Sequence, residues 1–295
     1  MDSARFAVRA SGPRVAAELP APPVPVRRRD ERSPSVVGRH ARLELTFLYR
    51  DGRTVLAQAY AEPPLRVGRW FAEGDGVHMI LTSSAPGAFG HDHLRQIVRV
   101  GCGARVRLTT QSALQVHPSP DGATAHLQSS YHVDDGAHLH CHWHPLIPFA
   151  DARVDQRIDV NIAGSGFLYW SDALMSGRHA RGERWQFASL AHEIAVSRDG
   201  WLEYLERYRI QPNELAVSRS WAAGDASYLG TALMTGRPIE PGVAERLHIG
   251  LRRLAEVRAA ADRLDDRVLL VRLLSGSGAA FHDARYWIRD SCASL

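Results

Sequence analysis

The chain has 295 residues, 45% of them hydrophobic, enough for one large domain or two small ones around a real core. Its formal charge of +4 does not describe a basic binding face: residues 1–40 hold eight arginines against four acids and the remainder holds 28 of each, so no nucleic-acid surface is expected. None of the 36 Lys and Arg positions is lysine, which removes a Walker-type phosphate loop, Schiff-base chemistry and pyridoxal phosphate attachment.

Cys102, Cys141 and Cys292 are odd in number, far apart and free of any C-x-x-C pair, the pattern of a reducing compartment. No apolar run approaches the roughly 18 residues of a membrane span, and the first residues lack a signal-peptide core. A soluble cytoplasmic protein with no membrane partner is expected.

In chain order, residues 1–39 include "ELPAPPVPVRRRDERSPS", dense in proline and arginine without apolar periodicity, and read as a disordered tail. Order is expected from near Leu43, and residues 40–295 read as one domain, β-rich over 43–215 and helix-containing over 216–295. "RLELTFLYRDGRTVLAQAYAE" is two β-prone runs joined by Asp51-Gly52, a hairpin signal that recurs at Asp121-Gly122, Asp135-Gly136 and Asp199-Gly200. "ATAHLQSSYHV" and "AHLHCHWH" read as another strand pair. Many short strands and few helices imply stacked antiparallel or mixed sheets.

Towards the C-terminus, "PGVAERLHIGLRRLAEVRAAADRL" places Val243, Leu247, Leu251, Leu254 and Val257 on one stripe and predicts an amphipathic helix. "RVLLVRLL" predicts a buried strand, and Ala279 to Ile288 a last helix. Gly164-Ser165-Gly166 and Gly276-Ser277-Gly278 lack the third glycine of a dinucleotide loop and read as turns.

The most unusual stretch is "GAHLHCHWHPLIPF", with histidines at 138, 140, 142 and 144. On a strand, alternate side chains share a face about 6.8 Å apart, so one ion reaches only neighbouring pairs and any complete site needs ligands from elsewhere. The row is read either as an exposed strand face or as a metal-gathering one. Gly136, His142 and His144 also resemble the first part of the cupin metal motif. The carboxylate of its second part is missing, because Pro148 and Phe149 stand there and Asp151 comes too late. A cupin-like metal-dependent enzyme is therefore the alternative reading.

A second resemblance covers more of the chain. "LRVGRWF" (65–71), "RLTTQSA" (107–113), "GAHLHCHWHPLIPFADAR" (136–153) and "SDALMSGRHARGERWQF" (171–187) follow in the order and spacing of the urease accessory protein UreD (UreH) family, and the chain resembles that family from about Leu43 onward. The resemblance implies a layered, helically wound, mainly β fold with C-terminal α-helices packed on it. It also implies a non-enzymatic scaffold that binds apo-urease with a UreF-like accessory protein and a UreG-like GTPase and assists nickel delivery. No tightly bound cofactor is implied, only transient nickel.

Carried over from the matched motifs, Asp92, Asp172 and Glu183 are candidates for the metal-transfer path, each weighed against a turn or strand-end carboxylate. Arg178 and Arg181 flank Glu183 and are placed to pair with it. Trp143, Phe149, Trp170 and Trp185 are candidate partner-binding anchors, weighed against core. Two departures stand out: "APGAFGHDHL" puts His91 where relatives usually have glycine, and "LHCHWHP" replaces their usual "LEYLP". A left-handed turn at 91 would strain a histidine.

Overall fold

The computed structural model describes residues 38–293 except 215, 220 and 221, so the expected tail lies outside the described residues apart from Gly38 and Arg39. Two sheets carry the fold. Sheet one has seven strands in the order β14 (Trp201–Ile210), β13 (Ser189–Arg198), β11 (Arg153–Ile162), β8 (Ala125–Val133), β5 (His93–Val100), β1 (His40–Arg50) and β2 (Arg53–Ala61). Sheet two runs β16 (Val257–Arg263), β17 (Leu269–Ser275), β15 (Tyr228–Thr235), β12 (Phe167–Met175), β9 (His138–His142), β6 (Arg105–Thr110), β4 (Gly76–Ser83) and β3 (Leu65–Glu73), with short β7 (Leu114–Val116) and β10 (Leu146–Pro148) beside it.

Between β4 and β13 the chain winds: every visit to sheet one adds a strand parallel to the last, β5 to β8 to β11 to β13, and every visit to sheet two does the same, β4 to β6 to β9 to β12. β7 and β10 pair in parallel as a narrow third side. This is the helically wound β architecture with C-terminal helices that the family resemblance implied.

Side-chain alternation makes the winding possible. In β13 every second residue, Leu190, His192, Ile194, Val196 and Arg198, is buried. Leu45, Phe47, Val98, Tyr131, Leu139, Cys141, Val160, Leu168 and Trp170 form the main core between the sheets. The outer face of sheet two, with Phe167, Tyr169, Met234 and Val271, is covered by α1 (Val243–Leu251) and α2 (Gly278–Ala293) through Leu247, Leu251, Phe281 and Ile288.

Three expectations from the sequence change. Asp51-Gly52 and Asp199-Gly200 do turn hairpins, with φ positive at all four residues. The segments flanking Asp135-Gly136 do not pair: β8 joins β5 and β11, while β9 joins β6 and β12. The dipeptide supplies a left-handed corner in both settings, and the winding decides whether the next strand returns beside its neighbour or crosses to the other sheet.

The helix predicted over 241–264 ends at Leu251, and residues 257–263 form the edge strand β16. Glu256 turns the chain with φ 59°, and β16 then pairs with β17 in full antiparallel register. The open edge of the buried β17 strand outranks the helix preference of Ala259, Ala260 and Ala261. Order also starts slightly earlier than Leu43, because His40, Ala41 and Arg42 pair with His93, Leu94 and Arg95 of β5.

Candidate functional site

The sheets do not close fully on each other at the ends of the strands near Asp172 and His192. They leave a cavity of about 1110 Å³, lined by leucines and by polar groups from both sides. Register builds its polar wall. Asp172, Thr231 and Arg272 form one row across β12, β15 and β17. Gln156, His192 and Tyr208 form a row across β11, β13 and β14.

The Asp172 carboxylate accepts from Trp170 Nε1 at 2.9 Å and lies 3.9 Å from His192 Nε2, which reaches over from sheet one. His192 Nδ1 contacts Gln156 Oε1 at 3.1 Å, and its ring stacks on Tyr208. Glu206, from β14, accepts from Tyr204 at 2.7 Å and from Arg272 at 2.6 Å. Burial, with Glu206 adding to it, pushes the Tyr204 hydroxyl up, and burial beside Asp172 does the same to Tyr208. Both phenols stay neutral. The wall thus brings carboxylate, imidazole and hydroxyl groups to one cavity.

The other candidate path carboxylates sit elsewhere. Asp92 is 1% exposed and accepts from the backbone N–H groups of Arg39 at 2.8 Å and Phe89 at 2.9 Å, tying the start of β1 to the 87–91 turn. That turn holds His91 at φ 67°, a left-handed backbone on a non-glycine residue, with the imidazole 2.8 Å from Asp121. Glu183 pairs with Arg178 and accepts from Ala150 N–H at 3.3 Å, and the Arg178 guanidinium holds its carboxyl below the usual range. Arg178 in turn lies over the Phe149 ring at 3.9 Å.

The histidine row divides. Leu139 and Cys141 face the main core, so His138, His140 and His142 face outward, His142 against α2. His138 and His140 pack on Phe167, and His140 also on Tyr169. Burial, then neighbouring arginines, lowers both to about 4. His142 packs on Tyr286 of α2, and burial followed by Arg285 and Arg289 lowers it to about 2; its Nδ1 has no hydrogen-bond partner. His144 lies past the strand end and lines the cavity. His142 and His144 thus stand in different surroundings, and among the described residues no three His, Cys, Asp or Glu side chains converge as a metal-ligand set.

Of the four aromatic candidates, Phe149, Trp170 and Trp185 are buried, and Trp143 packs half-buried against Tyr131 and Trp170 at the cavity wall. Large apolar side chains left exposed include Trp70, Phe71, Trp201, Leu202 and Leu205, none of them singled out from the sequence. Sequence reasoning also missed His192, Glu206 and Arg272. The signal for Arg272 was present, since it is the one charge inside the apolar run "LLVRLL".

The family model described as UreD urease accessory protein matches residues 39–293. Three relatives carry the same description: one from Sorangium cellulosum, 34% identical over 85% of this chain and 79% of its own length; one from Deinococcus radiodurans, 32% identical over 72% and 81%; and a UreD 2 from Streptomyces griseus, 31% identical over 87% and 83%. With the match spanning nearly every described residue, the chain belongs to the UreD family of urease accessory proteins.

Proposed function

We propose that the chain is a non-enzymatic scaffold in the cytoplasm. It holds apo-urease together with a UreF-like accessory protein and a UreG-like GTPase, and nickel passes along it to the urease active site. The observation that carries this reading is the inter-sheet cavity, in which Asp172, His192 and Glu206 supply a few exchangeable donors instead of a closed cage. Transfer requires release, and a saturated tetrahedral site would trap the ion.

The absence of lysine supports the division of labour, because GTP hydrolysis then comes from a partner. No described helix is long and apolar enough to cross a membrane. Cys102, Cys141 and Cys292 are all unpaired thiols, as a reducing compartment requires. The chain takes no tightly bound cofactor of its own, and nickel is cargo.

The test is expression of the urease subunits and accessory proteins with and without this chain. Without it, urease protein is expected at normal amounts but short of nickel and inactive; with it, the UreF-like and UreG-like partners co-purify. Normal nickel content in its absence would remove the reading.

A further inference from the structure

Sheet one ends at β14, which pairs on one side only, with β13. The other sheet edges are managed differently. β2, at the far end of sheet one, lies against β3 and β4, and β16, at one end of sheet two, lies against α1. β3, the remaining edge, is broken by a bulge between Val67 and Trp70. β14 has its irregularity near the turn, opposite Val196 and Ser197, and pairs in regular register from Tyr204 to Ile210. A regular open edge offers backbone N–H and C=O groups to another chain.

The side chains on this edge do not blunt it. Trp201 is 81% exposed, Leu202 60% and Leu205 45%, and among the described residues no other element carries three large exposed apolar side chains. Exposed apolar groups gathered in one place mark a contact surface. Tyr204, Glu206 and Ile210 are buried, so alternation turns Leu205, Arg207 and Arg209 to the outer face of sheet one. α1 and α2 both pack on sheet two and leave that face uncovered.

Charge selects the occupant. Glu193, opposite Arg207 on β13, is shared by Arg207 and Arg157, and Arg209 has no carboxylate partner among the described residues. A second copy laid along the same edge would set its own Arg207 and Arg209 against this pair, and like charges facing each other across strands destabilise the pairing. We propose that β14 is a docking edge for an extended segment of a partner protein, added to sheet one as a further strand, with apolar side chains over Leu202 and Leu205 and acidic ones over Arg207 and Arg209. The backbone edge supplies affinity, the alternating outer side chains supply selectivity, and Trp201 at the hairpin tip is the aromatic anchor. This rests on reading the chain as a scaffold, and it puts one contact on the face of β14 opposite the inter-sheet cavity.

The test co-expresses the full chain with the urease subunits and the UreF-like and UreG-like proteins, with Leu205 replaced by the photo-crosslinker benzoylphenylalanine. One crosslinked peptide is expected, from one of those partners, in which apolar and acidic residues alternate. Arg207→Glu with Arg209→Glu, and separately Trp201→Ala with Leu205→Lys, should lower recovery of that partner with the chain by about tenfold or more. Trp70→Ala with Phe71→Ala, on the bulged edge of sheet two, should leave recovery unchanged. Melting curves recorded in parallel separate lost docking from lost folding. Arg209→Glu alone, which breaks no ion pair within the described residues, should still lower recovery several-fold if the double variants unfold.

A crosslink to a second copy of this chain, to nucleic acid, to a segment without acidic residues or to nothing overturns the proposal, and so does equal recovery in every variant. A separate arm measures the nickel content of urease with and without the chain. Normal content without it removes the scaffold reading but leaves a crosslinked acidic segment assigned to β14, whereas nickel loading that needs the chain, with no crosslink at position 205, removes the docking edge alone.

Discussion

Arg272 of β17 reaches across to Glu206 of β14 and joins the two sheets at the edge of the cavity through a 2.6 Å hydrogen bond between residues 66 apart in the chain. Because only the glutamate is buried, the two halves of the pair are not equivalent. Glu206→Gln leaves an arginine that water solvates. Arg272→Ala leaves a buried carboxylate with no positive partner and only the Tyr204 hydroxyl donating to it. In chelator, chemical denaturation should show Arg272→Ala less stable by about 1–3 kcal/mol and Glu206→Gln by less than about 1, after allowing for screening at the half-exposed arginine.

Asp92 and Asp172 should separate when replaced. Asp92→Ala orphans two backbone donors in a buried turn, at about 1–3 kcal/mol for each unsatisfied group, and is expected to lower the melting temperature markedly. Asp172→Asn keeps an acceptor for Trp170 Nε1 and should melt nearly as the unaltered chain does. Its effect is expected in urease activation, which falls several-fold while the complex still assembles. The reverse pattern, with Asp92 affecting delivery and Asp172 affecting stability, would contradict the placement of the ion's route.

Acid stability follows from the outward histidines. His138 and His140 titrate near 4 in the folded chain and His142 near 2, against 6.5 for a free imidazole. Above pH 6.5 all three are neutral in both folded and unfolded chains and have no effect on stability. Below it the unfolded chain binds protons that the folded chain refuses, so stability falls as pH drops from about 6.5 toward 4. Melting curves at several pH values measure the slope. His142→Leu, which also removes an unpartnered buried Nδ1, should flatten it and raise the melting temperature at pH 5.

Trp170 and Trp201 test core against surface. Trp170 is 2% exposed within the main core, whereas Trp201 is 81% exposed at the β13–β14 turn. Trp170→Ala should destabilise by about 3–5 kcal/mol and Trp201→Ala by no more than about 0.5 kcal/mol in denaturant titrations.

Much of the architecture was legible before any coordinates. The two runs of "RLELTFLYRDGRTVLAQAYAE", the Asp-Gly turns and the run "RVLLVRLL" each marked a strand or a turn that the structure contains. The same local signals misassigned β16, where alanines written in a helical stripe became an edge strand, and the partners of β8 and β9. Both errors have one cause: a strand edge outside the segment being read supplied the hydrogen bonds that settled the conformation, the next strand along the chain for β16 and strands from earlier and later coils for β8 and β9.

The candidate site was less legible still. Asp172 could be reached through a motif, but His192, Glu206 and Arg272 carry no local pattern, and they meet only because β13, β14 and β17 are brought to one end of the sandwich. By itself the sequence determined a β-rich chain with C-terminal helices and without lysine-dependent chemistry, since composition and side-chain periodicity act through short range, and its motifs carried the resemblance to the urease accessory proteins. Only the tertiary structure decided which charges face each other across the cavity and which histidines lie under α2. Those depend on strand register and on which sheet each coil joins, and long-range backbone pairing sets both.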